Sequence, residues 1–195
     1  MQTNKRADIT KPINALRHLC ERFGIMFWGV DSKSITLFRL QKKVIRLITG
    51  APKCTSCRPI FKRFKILTLT SLYIYETLCF MKKHYHNLKY RFEIHEHNTR
   101  SKNDPYQQYC NTSNYQKSVL NMGTKLFNKL PSQIKHLDNY NKFKKELKNF
   151  LLSIHFIPLQ NFFHSKLMFN LTVLFLRHYV GNRSLNKLSN PHKLN

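Results

Sequence analysis

The sequence predicts a mainly α-helical, single-domain protein of about five helices, with a short extended element near residues 95–104. Apolar residues recur at helical spacing in several segments. Residues 72–83 are apolar around nearly the whole helical circumference, which is typical of a buried central helix. The chain has 195 residues and 42% hydrophobic content, enough for one domain with a real core. We expect a polar lead-in over residues 1–12, a helical domain over 13–152, and a divergent, poorly ordered tail over 153–195.

The domain should begin with an apolar and aromatic segment over residues 13–30. A helix over residues 13–23 followed by a turn is expected there, because glycines follow its end. The aromatic side chains of Phe23, Phe27 and Trp28 could form part of the core or a platform for stacking bases. We favour the core.

The segment 34–49 carries two distinct faces when it is placed on a helix at about 100° per residue. Gly50 supplies a C-terminal stop and Pro52 prevents continuation, so the helix should end near Thr49. One face suits a core and the other suits a negatively charged partner, although a Lys-rich face that is merely solvated is the alternative. The apolar face carries Leu37, Leu40, Val44, Ile45 and Ile48, and the cationic face carries Arg39, Lys42, Lys43 and Arg46.

Two further helices should follow. Arg58 and Pro59 open a short helix that reaches about Phe64, because Pro suits the first turn of a helix. Ser71 is the expected N-cap of the central helix. The cationic character of the preceding helix continues into the short one through Lys62, Arg63 and Lys65.

The second half of the domain begins with polar residues 83–114, which lack helical periodicity. One helix should then end before Pro131. A last helix, over residues 141–154, should turn three lysines to solvent. The buried positions expected in these two helices are Val119, Met122, Leu126, Phe127, Leu130, Phe143, Leu147, Phe150, Leu151 and Ile154, and the solvated lysines are Lys144, Lys145 and Lys148.

The charge balance is extreme. Thirty-four Lys and Arg stand against nine Asp and Glu, a net charge of +25. Such an excess repels itself in a compact fold and is usually matched by a polyanion, so nucleic acid is the first expected partner and an anionic membrane surface the second. Codon composition of an AT-rich gene is a competing explanation for many lysines. The longest uncharged apolar run, residues 167–176, is too short to span a bilayer, so stable insertion is not expected.

The five cysteines are odd in number, and the N-terminal residues have no apolar core of a signal peptide. We therefore expect reduced thiols and an intracellular location, in nucleus or cytoplasm. Cys54 and Cys57 could bind zinc together with His95 and His97, since alternate residues of an extended segment point to one side. A lone C-x-x-C is common by chance, so free thiols are favoured and no cofactor is expected.

Short blocks in a fixed order carry a resemblance to a known family. They are FGIMFWG, LFRLQKKVIRLITGA, SCRPIFKRFKILTLTSLYIYETLCFMKK, HNTRSKND, YQKSVLNMGTKLFNKLPSQIK and FKKELKNFLL, and the resemblance covers roughly residues 13–152. This order resembles the region just after the polymerase domain in insect non-LTR retrotransposon reverse transcriptases of the jockey-like type. No single block is diagnostic.

The resemblance implies a C-terminal fragment of an RNA-directed DNA polymerase that contacts template RNA or target DNA through phosphates, beside the missing polymerase part. Catalysis by the chain alone is not expected, because two-metal nucleotidyl transfer needs paired aspartates and no two of its four Asp are adjacent. Thr99 and Arg100 suit a phosphate, although Arg100 could equally bridge helices. A truncated relic and a basic membrane-surface or scaffold protein are the alternative functions. The expected nucleic-acid-binding residues are Arg39, Lys42, Lys43, Arg46, Arg58, Lys62, Arg63 and Arg100.

Overall fold

A computed structural model of the chain describes residues 24–31, 34–97 and 99–153. This part of the chain is mainly helical and contains no strand, which confirms the predicted fold class. The lead-in, the helix expected over residues 13–23 and the tail beyond Ser153 lie outside it. The helices are α1 (Ile25–Trp28), α2 (Ser34–Thr49), α3 (Arg58–Arg63), α4 (Leu69–Lys83), α5 (Ser113–Gln116), α6 (Val119–Asn128), α7 (Ser132–Lys135) and α8 (Tyr140–Ser153).

Helix α4 is the centre of the fold, as its sequence predicts. Nine of its residues are buried, and α1, α2, α6 and α8 pack around it. The helix begins three residues earlier than expected, because its N-cap is Thr68 and not Ser71. The Thr68 side chain accepts a hydrogen bond from the backbone N–H of Ser71 at 3.2 Å, so Ser71 is the donor at the third helical position.

Helices α6 and α8 pack on α4 with the faces that the sequence predicts. Phe127, Phe143 and Leu147 are fully buried in the main core. Helix α6 approaches α4 closely at Gly123, where an added Cβ would lie 2.6 Å from the sulfur of Met81. A larger residue at this crossing would require the Met81 side chain to move.

Helix α2 is rotated relative to the predicted orientation. Gln41 and Ile45 are its buried residues, whereas Leu37 and Leu40 of the predicted apolar face are exposed and Leu47 is 81% exposed. Against α3 it forms a small second core, whose buried members are Ile45, Cys57, Phe61 and Ile66.

The chain between α4 and α5 folds back on itself. Two short 3₁₀ turns, Tyr85–Asn87 and Arg91–Glu93, precede a turn near Arg100. The extended element is limited to one antiparallel bridge, between Tyr90 and Pro105, which flanks the predicted range 95–104. No helix in the described ranges is long and apolar enough to cross a membrane.

Candidate nucleic-acid interface

The cationic face of α2 contains two exposed cations, Arg39 and Lys43. Its other two cations, Lys42 and Arg46, are half-buried and contact the protein. The ammonium of Lys42 lies 4.8 Å from the ring centroid of Phe38, one helical turn earlier. The face is cationic as the sequence predicts, but only Arg39 and Lys43 project fully from it.

Arg46 has a structural task. Its guanidinium donates two hydrogen bonds to the carbonyl oxygen of Thr55, at 3.1 and 2.9 Å. Together with the contact of the Cys57 sulfur with the carbonyl of Lys42, at 3.8 Å, these bonds hold the loop before α3 along the cationic edge of α2. Arg46 therefore positions α3, and its other N–H groups remain able to donate to a ligand.

Helix α3 lies beside α2 and extends the same basic surface. The Phe61 side chain of α3 is buried, and its ring centroid lies 6.5 Å from the ring centroid of Phe38 on α2. Because Phe61 points into the second core, the cations around it face outward: Arg58, Lys62 and Arg63 are all exposed. We call the exposed and half-exposed cations of the two helices the basic surface; its members are Arg39, Lys42, Lys43, Arg46, Arg58, Lys62 and Arg63.

Arg100 does not belong to this surface. Helix α2 contacts the beginning of α4, where Gln41 accepts a hydrogen bond from Leu69 N–H. The turn that carries Arg100 lies at the other end, where Asp104 contacts Lys135 of α7 at 2.8 Å and Lys82 near the end of α4 donates to the carbonyl of Lys135. The fifteen residues of α4 span about 22 Å. The sequence-predicted cations thus form two separate groups.

Arg100 itself is exposed within its turn. The ion pair that ties this segment to the helices is formed instead by Asp104 and Lys135. The neighbouring Arg91 donates to the Ser101 hydroxyl at 2.8 Å and so holds the turn together from inside. The exposure of Arg100 argues against a bridging role, and phosphate binding by Arg100 stays a prediction.

Lys82 and Lys135, which lie outside the predicted set, both make contacts within the fold. Lys82 donates to the carbonyl of Lys135 at 3.2 Å and lies over the rings of Tyr85 and Phe143, at 5.2 and 5.6 Å. Burial lowers the pKa of Lys82, and the nearby carboxylate of Asp138 opposes that effect only in part. A count of lysines therefore overstates the cations that are available to a partner.

The cysteines of the C-x-x-C motif lie in different environments. Cys54 is exposed, whereas Cys57 is buried in the second core. His95 lies against the ring of Tyr106, and His97 is exposed. Within the described ranges, no three His, Cys, Asp or Glu residues are grouped closely enough to hold a metal ion. The four cysteines described there, which include Cys79 and Cys110, are free thiols.

The aromatic residues also differ from expectation. Trp28 packs against the main core, as predicted, but Phe27 is 78% exposed. A second exposed ring, Phe92, lies on a segment whose backbone pairs with Lys102 and was not predicted as a functional residue. The available signal was the alternation of Lys89, Tyr90, Arg91 and Phe92, which places aromatic and cationic residues side by side.

Comparisons with models of protein families, with curated protein sequences and with solved structures found no match. The function is therefore argued from the arrangement of the residues themselves. That arrangement is a basic surface on two adjacent helices at one end of α4 and a smaller basic segment at its other end.

Proposed function

We propose that the chain binds nucleic acid through phosphate groups, with little readout of base sequence, and that the basic surface of α2 and α3 makes the principal contacts. One observation carries the proposal. Residues 34–75 contain nine Lys or Arg and no Asp or Glu, and seven of the nine lie on α2 and α3, which pack side by side. A regularly charged polyanion is the partner that such a surface fits.

The alternative of a merely solvated face is less consistent with the charge distribution. A solvated helix surface normally mixes both signs, since this avoids self-repulsion. Helix α8 is of that kind, because Glu146 interrupts its lysines Lys142, Lys144, Lys145 and Lys148. Helices α2 and α3 contain no Asp or Glu of their own. Binding of a polyanion would relieve repulsion there and would relieve much less on α8.

The resemblance extends the proposal to a cellular context. We propose that the chain is the post-polymerase part of a non-LTR reverse transcriptase and holds template RNA or target DNA beside the missing polymerase part. The chain alone would catalyse nothing, because no two of its four Asp are adjacent and two-metal nucleotidyl transfer needs paired aspartates. A truncated relic with the same fold remains the alternative.

A membrane surface is the second candidate partner. The exposed side chains of Leu37, Leu40 and Leu47 on α2 lie next to the cations Arg39 and Lys43, a combination that suits an anionic bilayer surface. We favour nucleic acid because the exposed cations continue from α2 onto α3. A single helix that lies on a membrane surface needs cations only along its own sides.

A salt titration tests the proposal. The logarithm of the binding constant should fall with the logarithm of salt concentration by about 0.9 per phosphate contact on duplex DNA, or about 0.7 on a single strand. A triple variant with Arg39→Gln, Lys43→Gln and Lys62→Gln should flatten this slope by about two to three contacts. Its helicity should be retained, since Gln is nearly as good a helix former as Lys or Arg. Arg46 is left intact because it holds the loop before α3.

The matched control removes the same number of charges from α8, by Lys142→Gln, Lys145→Gln and Lys148→Gln, all at exposed positions. Equal loss of affinity in both triple variants would show that the attraction is diffuse and that the basic surface has no special role. Competition by anionic vesicles at equal charge concentration, as effective as that of DNA, would favour the membrane candidate. Template-directed nucleotide incorporation by the pure chain would contradict the absence of catalysis.

A further inference from the structure

A column of aromatic rings leads from the core to the surface between α4 and α5. The buried ring of Phe127 contacts Tyr85, with centroids 5.4 Å apart, and Tyr85 meets Tyr90 edge-on at 5.4 Å. Tyr90 stacks on Phe92, with centroids 5.6 Å apart and planes within 15°. Phe92 is 53% exposed. The column therefore ends in a ring that presents part of its surface to solvent.

The end of the column is held in place by the backbone. The N–H of Phe92 donates to the carbonyl of Lys102 at 3.1 Å, and the N–H of Arg91 donates to that of Asp104 at 3.2 Å. The hydroxyl of Tyr90 donates to the carbonyl of Tyr85 at 3.0 Å. An exposed aromatic ring that is fixed before a ligand arrives loses little conformational freedom on binding.

The two paired segments that hold this ring, and the turn between them, also carry exposed cations. Lys89 and Lys102 are exposed on the two paired segments, and Arg100 is exposed in the turn that joins them. The carboxylates of Glu93 and Glu96 lie in the same region and are also exposed. Asp104 is engaged by Lys135 and Arg91 by Ser101, so exposed Lys and Arg outnumber exposed carboxylates by three to two.

We propose that Phe92, supported by Tyr90, is a stacking platform for an unpaired nucleobase of a single strand, and that Lys89, Arg100 and Lys102 contact the phosphates on either side. This deepens the proposed function and rests on it: it names single-stranded RNA or DNA as the ligand at this end of the molecule. An aromatic face with cations beside it is how sequence-tolerant single-strand sites are built. In a duplex the base faces are already stacked on one another, so Phe92 discriminates for unpaired bases.

The basic surface of α2 and α3 and the Phe92 platform contribute to binding through different interactions. They lie at opposite ends of α4, about 22 Å apart along the helix axis. The basic surface acts through charge on any nucleic acid, while the platform acts through stacking on single strands alone. A change at Phe92 should therefore leave the salt dependence unaltered.

The test compares the full chain with its Phe92→Leu variant, using a single-stranded oligothymidylate and a DNA duplex of equal charge at one salt concentration. Leucine keeps an apolar side chain and removes the aromatic face. Stacking of a base on an aromatic residue is worth about 1–3 kcal/mol, so single-strand affinity should fall by about 5- to 150-fold. Duplex affinity should change by less than about 2-fold, and the salt slope should be unchanged.

Two further variants make the result specific. Phe27→Leu is the matched control, since Phe27 is exposed in α1 and has no stacking partner among the described residues that could extend it into a column; its single-strand affinity should equal that of the parent. Phe92→Trp should restore or tighten single-strand binding. Its added indole emission should also be quenched by the oligothymidylate and not by the duplex, with the emission of Trp28 in the parent as the reference.

The possible failures are distinguishable. If the parent binds both nucleic acids and Phe92→Leu binds them equally well, the platform is overturned while the proposed function stands. An equal loss of affinity for single strand and duplex also overturns it. A duplex makes no stacking contact with Phe92, so removal of that contact cannot lower duplex affinity. If the parent binds neither, the proposed function fails and the platform with it. Should Phe92→Leu lose its helical circular dichroism, unquenched emission of a folded Phe92→Trp variant overturns the proposal on its own.

Discussion

The side-chain oxygen of Gln41 accepts a hydrogen bond from the backbone N–H of Leu69 at 3.0 Å, so a residue of α2 caps the first turn of α4. The amide nitrogen of the same side chain donates to the carbonyl of Leu67 at 3.1 Å. Gln41 is buried, and the N–H of Leu69 is one of the groups that a helix leaves without an internal partner. This single side chain thus fixes the helix bearing the basic surface to the centre of the fold.

The variant Gln41→Leu should lower the free energy of unfolding by about 2–4 kcal/mol. Leucine fills a similar volume but leaves the N–H of Leu69 and the carbonyl of Leu67 buried without partners, at about 1–3 kcal/mol for each group. Urea denaturation followed by circular dichroism measures the change. The same substitution at exposed Gln133 is the control and should stay within about 0.5 kcal/mol. An equal effect at both positions would show that the two hydrogen bonds contribute nothing net.

The role of Gln41 also explains why the orientation of α2 could not be predicted. Hydrophobic periodicity places Leu37 and Leu40 toward a core, and it gives no reason to bury a glutamine. In the structure, the polar groups at the start of α4 have to be satisfied, and Gln41 satisfies two of them. The buried side of α2 is therefore set by a hydrogen-bonding requirement that arises 28 residues away.

The cationic residues show the same division between local and distant causes. The exposure of Arg39 and Lys43 follows from helical spacing, which the sequence contains. The attachment of Arg46 to the carbonyl of Thr55 depends on where the next loop lies, and the contact of Lys82 with Lys135 joins segments 53 residues apart. The aromatic column that ends at Phe92 likewise needs the folded backbone.

A thiol-labelling experiment tests the different environments of Cys54 and Cys57. In the native protein, iodoacetamide should alkylate Cys54 at least about tenfold faster than Cys57, because Cys54 is exposed and Cys57 is buried beside Phe61. Peptide mapping by mass spectrometry resolves the two sites. Both should react equally in denaturant, which is the internal control.

The same reaction tests the zinc alternative. One equivalent of Zn²⁺ added before iodoacetamide should leave the rate at Cys54 unchanged, and a chelator should leave the helicity unchanged. A metal held by Cys54, Cys57, His95 and His97 would protect both thiols and would couple to folding. Protection of Cys54, together with about one bound zinc per chain by elemental analysis, would overturn the free-thiol interpretation.

The buried phenol of Tyr73 should make the folded state less stable at alkaline pH. It is fully buried in α4, and its hydroxyl oxygen has no hydrogen-bond partner within the described part of the chain. Burial raises the pKa of Tyr73 from 10.0 to about 12, and the nearby Thr77 hydroxyl opposes that effect only in part. Between these pH values the unfolded chain loses the phenolic proton while the folded chain keeps it. The folded state is therefore progressively destabilised from about pH 10 upward, by at most about 3 kcal/mol.

Tyr73→Phe removes the titrating group and keeps the ring that packs on Gly29. The variant should match the parent or slightly exceed it in stability at pH 8, since it deletes a hydroxyl without a partner. Its advantage should then grow as pH rises from 10 to 12, because only the parent has a phenol to lose on unfolding. Urea titrations at pH 8, 10 and 11 measure the difference, with Tyr109→Phe at an exposed position as the matched control. A difference between Tyr73→Phe and the parent that stays constant across this range would mean that water reaches the Tyr73 hydroxyl, and that the centre of α4 is less tightly closed than its burial indicates.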